Sequence, residues 1–216
     1  MSFQTIVDIS QNIAVNNRRT IGQQYSRSGQ VQVAQYLTTV PWVFTITPHE
    51  YLYYPQARAI IQSIDNSDRQ LPQNITFAST NLSWFTAYQG TASLVQAAAI
   101  TLSAVPPANS QIITLGNLPA ISAGSYVFKA GDFIQIGVYV YKITADVLRG
   151  SGSTVTANIH RPIIGTVTTG TLAAVGSAVV FPVLAQTCPS YTLIPMTAGA
   201  FVQWDSAFVF REYITG

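Results

Sequence analysis

The chain has 216 residues, of which 48% are hydrophobic but only 8% are Asp, Glu, Lys or Arg. This length suits one domain with an insertion or two small domains, and it allows a core without disulfides or metals. An average soluble domain carries roughly 25% charged residues, so the composition predicts an unusually neutral surface. Subunit interfaces would explain it, since their cores are depleted of charge; secreted β proteins rich in Ser, Thr and Gln offer a second explanation.

Charge and hydropathy patterning exclude several classes of protein. The net charge is +2, and Arg18-Arg19 is the only adjacent basic pair, so the sequence predicts no direct nucleic-acid recognition. No uninterrupted apolar stretch approaches the roughly 20 residues that cross a bilayer, so no membrane insertion is predicted. The start does not resemble a secretory signal, and the lone Cys188 cannot form an intrachain disulfide. These features are typical of a chain made in a reducing cytoplasm.

The first block, residues 3–90, opens with a predicted β-hairpin. Residues 19–25 form a weak strand, Arg27-Ser28-Gly29 supplies the turn, and residues 30–37 alternate polar and apolar as a half-buried strand requires. The preceding segment, residues 2–17, shows no clear hydrophobic face. Its Asn and Gln content predicts an extended arm that orders only on contact.

One helix and three strands follow in the same block. Pro55 suits a first helical turn, and isoleucines 60, 61 and 64 fall on one face of a helix that residues 65–68 end. Aromatic and β-branched residues predict the strands, which are residues 42–47, 74–77 and 82–88.

The middle block, residues 91–172, has short strands between glycine turns. Residues 112–115 form a short strand, and a turn at 129–132 leads into a strand at 133–137. The sequence of residues 138–147 strongly favours a strand. Residues 154–160 are its predicted hairpin partner, across a flexible Gly/Ser turn. Such a pattern is typical of a small barrel or sandwich, which we interpret as an inserted domain.

The last block, residues 173–216, returns to longer strands at 178–184, 190–194 and 200–210. Its aromatic residues are similar to those of the first block, so we expect it to complete the first block's sheet. The predicted organisation is therefore a discontinuous β domain, residues 1–90 and 173–216, with residues 91–172 inserted. The predicted fold class is mainly β.

Two sets of residues resemble tail proteins of tailed bacteriophages. In the middle block, Lys129-Ala130-Gly131-Asp132 leads into an apolar strand ending at Gly137, then residues 140–147, a Gly/Ser turn, and the close Ile159-His160-Arg161-Pro162. In the first block, Arg58 in a short helix is followed by Leu71-Pro72, Leu82-Ser83-Trp84 and Tyr88-Gln89-Gly90. Together the two sets cover about half of the chain.

This resemblance implies a tail-tube-like or distal-tail-like β-sandwich with one flanking helix. It further implies a structural virion protein, made in the host cytoplasm, that forms a ring at the junction of tube and baseplate. Implied partners are copies of the chain itself, in a hexamer, and other tail tube, sheath or baseplate proteins. The resemblance brings no catalytic residues with it.

Enzyme and metal chemistry find little support in the sequence. His49 and His160 are the only histidines and, with the one cysteine, show no zinc-ligand spacing. Asp132 and Asp146 could form a glycosidase pair, but both fall at turns or strand ends that need no catalytic explanation. The sequence therefore predicts a non-enzymatic protein without catalytic, cofactor-binding or metal-binding residues.

The hairpin is the predicted contact between subunits. Flat β edges are normally blunted by charge or proline, yet this hairpin is long and nearly uncharged. We expect it to extend a sheet around a ring, unless the chain's own insertion covers it. The candidate interface residues are Arg18, Arg19, Arg27, Gln30, Gln32 and Gln35.

Two further functions stay open. A carbohydrate-binding β module would stack an exposed Trp42, Trp84 or Trp204 on sugar rings, although all three lie in apolar runs that favour core packing. A capsid decoration or head-completion protein would share the neutral surface.

Overall fold

The chain folds into a mainly β structure, as a computed structural model shows. The structure describes residues 2–18, 21–25, 27–35, 40–49, 52–67, 71–197 and 199–215. The helices in these ranges are α1 Ser2–Asp8, α2 Tyr54–Ser67 and α3 Leu94–Ala97. The strands in these ranges are β1 Ser10–Asn16, β2 Ile21–Tyr25, β3 Val31–Gln35, β4 Val43–Pro48, β5 Leu52–Tyr53, β6 Gln73–Ile75, β7 Thr101–Ala104, β8 Ile112–Gly116, β9 Tyr126–Phe128, β10 Phe133–Ile136, β11 Tyr139–Lys142, β12 Val147–Leu148, β13 Val155–Asn158, β14 Ala173–Val175, β15 Phe181–Thr187, β16 Tyr191–Met196, β17 Gly199–Trp204 and β18 Phe208–Glu212.

The largest sheet of the described ranges draws strands from both ends of the chain. Its five antiparallel strands follow the order β1-β4-β18-β15-β6. Phe210 of β18 lies opposite Phe44 of β4 on one side and opposite Ala185 of β15 on the other. The first and last blocks of the sequence thus share one sheet, with β18 in the middle.

The N-terminal segment packs onto this sheet, so the predicted extended arm is wrong. Phe3, Ile6 and Val7 project from α1 at i, i+3 and i+4 and are fully buried. The Phe3 ring stacks on Phe210 with 4.7 Å between ring centroids. The Asn and Gln content of this segment predicted an extended arm. The segment is ordered instead, because burying three apolar side chains on one helical face stabilises it despite its polar average composition.

Helix α2 confirms the predicted helix. Pro55 is its second residue, where the missing N–H costs no hydrogen bond. Ala57 and Ile60 are buried and Ile64 is half-buried, on the face that was expected to be apolar. The helix continues to Ser67, which lies inside the predicted terminating segment.

The middle block has its own core under three small sheets. Their strand orders are β11-β10-β14, β13-β8-β7 and β12-β9. Strand β14 begins at Ala173, in the segment assigned to the last block, yet it pairs with β10. Phe133 and Val140 pack into the core of the large sheet instead, so the two cores meet at β10 and β11.

The strand predicted at residues 138–147 is two strands, β11 and β12, and its predicted hairpin partner is wrong. Strand β11 ends at Lys142, the chain bends at residue 145, and the Asp146 carboxylate beyond the bend accepts the Ala130 N–H at 2.8 Å. Strand β13 therefore pairs along β8. Only a bridge from Ile143 to Ile159 remains of the expected pairing in the described residues.

Two other predicted strands also differ. Residues 82–88 form no strand, and residues 82–85 form turns instead. The Leu82 and Ser83 N–H groups both donate to the Ser79 carbonyl there, and the Phe85 N–H donates to the Leu82 carbonyl. The run at 200–210 is divided into β17 and β18 by a bend at Asp205. The Asp205 carboxylate accepts hydrogen bonds from the hydroxyls of Thr192 in β16 and of Ser190 just before it.

Candidate assembly surface

A buried ion pair joins the middle block to the large sheet. The Arg161 guanidinium donates to both carboxylate oxygens of Glu212, at 2.5 and 2.6 Å, and neither side chain is exposed. Arg161 also donates to the carbonyls of Val40 and Val140, and the backbone N–H of Trp42 donates to Glu212. Buried charges are tolerated when they are paired and hydrogen-bonded. This network therefore fixes how the middle block lies on the sheet.

The turn at residues 129–132 is held by a buried carboxylate. Asp132 accepts the backbone N–H groups of Gln89 and Lys129, both at 2.9 Å. Burial raises the pKa of Asp132, although these two donors and the Lys129 ammonium oppose the shift. Gly131 has φ +106°, which suits glycine at the third position of a type II turn. The carboxylate thus ties the turn to the loop that contains Gln89.

His160 and Tyr141 continue this framework. His160 Nδ1 accepts the Lys142 N–H at 2.9 Å. The His160 ring packs against the Trp42 ring with 5.1 Å between the ring centroids. The Tyr141 hydroxyl accepts the Ile164 N–H, and burial raises the pKa of Tyr141 to about 12. The residues that carry the resemblance in the middle block therefore form the framework around the junction of the two cores.

The hairpin predicted from the sequence is present as β2 and β3. Ile21 lies opposite Gln35 and Tyr25 lies opposite Val31. Within the described ranges neither strand pairs with a third. The hairpin follows β1 and precedes β4, and those two strands pair with Asn16 opposite Val43 at their last register position. It therefore continues from the end of the β1–β4 pair.

Five of the six predicted interface residues lie on or beside this hairpin in the described ranges. The side chains of Arg18, Arg27 and Gln30 are exposed. The backbone of β3 contains Gln32 and Gln35, with Gln32 opposite Gln24. Arg19 lies outside the described residues. Their role as subunit contacts stays a prediction.

A second exposed edge was not predicted from the sequence. In the sheet β16-β17-β5, strand β16 is at the edge and contains no charged residue. Tyr191, Leu193 and Met196 are exposed, Met196 at 57%. Proline blunts such edges, and Pro195 is the one residue of β16 that does so. The alternation of this strand gave no signal, because apolar residues occupy both of its faces.

The three tryptophans differ in exposure. Trp42 is 2% exposed, as core packing predicts, and Trp204 is half-buried between Tyr191 and Phe208. Trp84 is 73% exposed, so its predicted burial is wrong. It borders a groove of about 700 Å³ between β1 and the turns at residues 77–85. In a predicted strand it would have packed inward, but the turns direct it to solvent.

The described parts of the chain show no metal-binding cluster: no three His, Cys, Asp or Glu side chains come together there. No helix within those parts is long and apolar enough to span a membrane. No known protein family matches the chain, and no curated protein matches it by sequence.

Proposed function

We propose that the chain is a structural subunit of a bacteriophage tail that packs into a ring at the junction of tube and baseplate. The observation that carries this proposal is the β2–β3 hairpin. Its strands pair with each other and with no other described strand. Unpaired strand edges are templates for pairing with another chain, so the hairpin is suited to extend the sheet of a neighbouring copy.

The surface around the hairpin favours association. The strand-pairing segments of the hairpin contain no charged residue, and neither does the exposed edge strand β16. A closed ring needs two different surfaces on each subunit, because one copy must contact a neighbour on either side. The hairpin and the β16 edge supply two such surfaces. Only 8% of the residues are charged, so there is little charge repulsion or charge desolvation to oppose contact at either surface.

The internal framework supports a scaffolding role. Arg161 and Glu212 bond the middle block to the large sheet, Asp132 bonds the loop at Gln89, and His160 bonds Lys142 within the middle block. A ring subunit must keep its two contact surfaces in a constant relation, so a rigid junction between cores suits it. The residues that carry the resemblance to tail-tube-like and distal-tail-like proteins include Asp132, His160 and Arg161. The fold that we propose with this function is a tail-tube-like β-sandwich.

Light scattering coupled to size-exclusion chromatography, over a concentration series, tests self-association. We expect a ring or a concentration-dependent oligomer for the wild type and a smaller species when Gln30, Gln32 and Gln35 are changed to Ala. The matched control changes the exposed Gln56, Gln62 and Gln186 to Ala, and we expect it to assemble as the wild type does. Unchanged assembly of the hairpin variant contradicts the proposed contact, and a wild-type monomer at every concentration contradicts self-assembly.

The position in a virion needs a separate experiment. Immunogold electron microscopy with an antibody against the chain should label the lower end of the tail tube. Label on the capsid would support the alternative of a decoration or head-completion protein, which shares the same neutral surface.

A further inference from the structure

The groove beside β1 is open although its floor is apolar. Ile13 and Val15 of β1 lie opposite the buried Ile46 and Phe44 in register, so they face the core side of the large sheet. The turns at residues 77–85 cover them incompletely, and Val15 remains 37% exposed. The result is a groove of about 700 Å³, within the size range of small-molecule sites.

The exposed indole at the groove is held in one orientation. Trp84 Nε1 donates to the Asn81 carbonyl at 2.9 Å, within the same turn. Its ring meets Phe85 nearly edge to face, with an interplanar angle of 78°, and Phe85 in turn packs on the buried Phe77. Because the indole N–H is already used, the ring offers its faces rather than its hydrogen-bond donor.

The other groups at the groove are neutral and polar. Ser10, Gln11, Asn12 and Asn81 contribute a hydroxyl and three amides, which both donate and accept hydrogen bonds. None of the described lining residues is charged. An anionic ligand, such as a nucleic acid or a phosphorylated group, would find no cation there. A neutral ligand with apolar C–H faces and many hydroxyls matches this set.

We infer that this groove binds a neutral saccharide, with a pyranose ring stacked on Trp84 and its hydroxyls bonded to the amides at the rim. The C–H face of the sugar would meet the indole and the apolar floor, and the hydroxyls would meet Asn12, Gln11 and Asn81. This inference does not depend on ring formation, so it stands or falls separately from the proposed tail function.

Binding is tested by isothermal titration calorimetry of the full chain with three neutral trisaccharides: cellotriose, maltotriose and tri-N-acetylchitotriose, up to millimolar concentrations. We expect saturable heat with at least one of them and a blue shift of tryptophan emission as Trp84 becomes covered. Trp84→Ala should weaken binding about tenfold or more, as loss of an aromatic platform does. Val95→Ala is the control, since Val95 is 84% exposed and does not line the groove.

The fold of each variant is checked by its urea midpoint, which should stay at the wild-type value because Trp84 is mostly exposed. Asn12→Ala, at an exposed rim residue, provides an independent variant that should weaken binding several-fold. No saturable heat with any of the three sugars overturns the inference, and so does equal binding by wild type and Trp84→Ala. If Trp84→Ala instead lowers the mass of an oligomer that binds no sugar, the groove is a contact between copies and the inference is overturned.

Discussion

Replacing Arg161 with Met removes the central cation of the junction between the two cores. The change deletes four hydrogen bonds, two to Glu212 and one each to the Val40 and Val140 carbonyls. It leaves the Glu212 carboxylate buried, where it still accepts the backbone N–H of Trp42. Breaking a buried pair by removing one partner costs about 3–5 kcal/mol. The free energy of unfolding of a native protein is about 5–15 kcal/mol, so Arg161→Met should remove a large part of it.

Urea unfolding followed by circular dichroism measures this loss. The matched control is Arg211→Met, one residue before Glu212, because Arg211 is exposed and its removal should change stability by no more than about 0.5 kcal/mol. A loss below about 1 kcal/mol for Arg161→Met would refute the argument, because leaving one charge of a fully buried pair without its partner costs more than that.

A double-mutant cycle separates the pair from its surroundings. Glu212→Gln keeps an acceptor for the Trp42 N–H but leaves the Arg161 charge buried and unpaired. Arg161→Met combined with Glu212→Gln removes both charges, so it should cost less than the sum of the single changes by about 1–3 kcal/mol. Additive losses would mean that the two side chains do not act as a pair.

Three further predictions concern other parts of the chain. Burial raises the pKa of Tyr88 and Tyr141 to about 12, with the Asp132 charge as a lesser cause at Tyr88. An unfolded tyrosine ionises near 10, so the folded state retains these two protons and its stability should fall as the pH rises from about 10 to 12. Tyrosinate absorbance and urea midpoints across this pH range measure the effect. Gly137→Ala should cost about 1 kcal/mol because Gly137 has φ +65°, whereas Gly150→Ala should not. Phe3→Ala should lower the free energy of unfolding by about 3–5 kcal/mol, because it opens a cavity under α1. A urea midpoint equal to that of the wild type would mean that α1 does not pack on the sheet and that the N-terminal segment is an extended arm.

Local patterns predicted local structure well. The alternation in residues 30–37 predicts β3, and Pro55 with the isoleucines after it predicts α2, because each signal depends on neighbours within one or two turns of chain. The N-terminal helix had such a signal too: Phe3, Ile6 and Val7 share one helical face. The Asn and Gln content of the segment concealed it, although composition says little about a single amphipathic stripe.

Aromatic content misled the prediction for residues 82–88. Strand propensity reflects packing on a half-buried sheet rather than a backbone preference, and here Phe85 packs inward from a turn while Trp84 points outward. The turn formers Ser79 and Asn81 just before them were the better signal.

Long-range pairing could not be predicted from spacing. Arg161 and Glu212 are 51 residues apart in sequence, and no local pattern links a strand-end arginine to a glutamate near the end of the chain. The strand at residues 190–194 was predicted, but its position at an exposed sheet edge was not, and neither was the groove at Trp84. Exposure depends on which other segments cover a residue, and spacing does not show this. The hairpin was found because its two strands are neighbours in the sequence.

The position of β18 sets an order of events during synthesis. It lies between β4 and β15 in the large sheet, yet it leaves the ribosome after every other described strand. Until then β4 and β15 have no strand between them, whereas the strands of the middle block are already complete and close together in sequence. Because β18 is synthesised after the strands on both sides of it, the large sheet pairs across β18 only once residues 208–212 are available, whereas the strand pairings of the middle block need no residue beyond Val175.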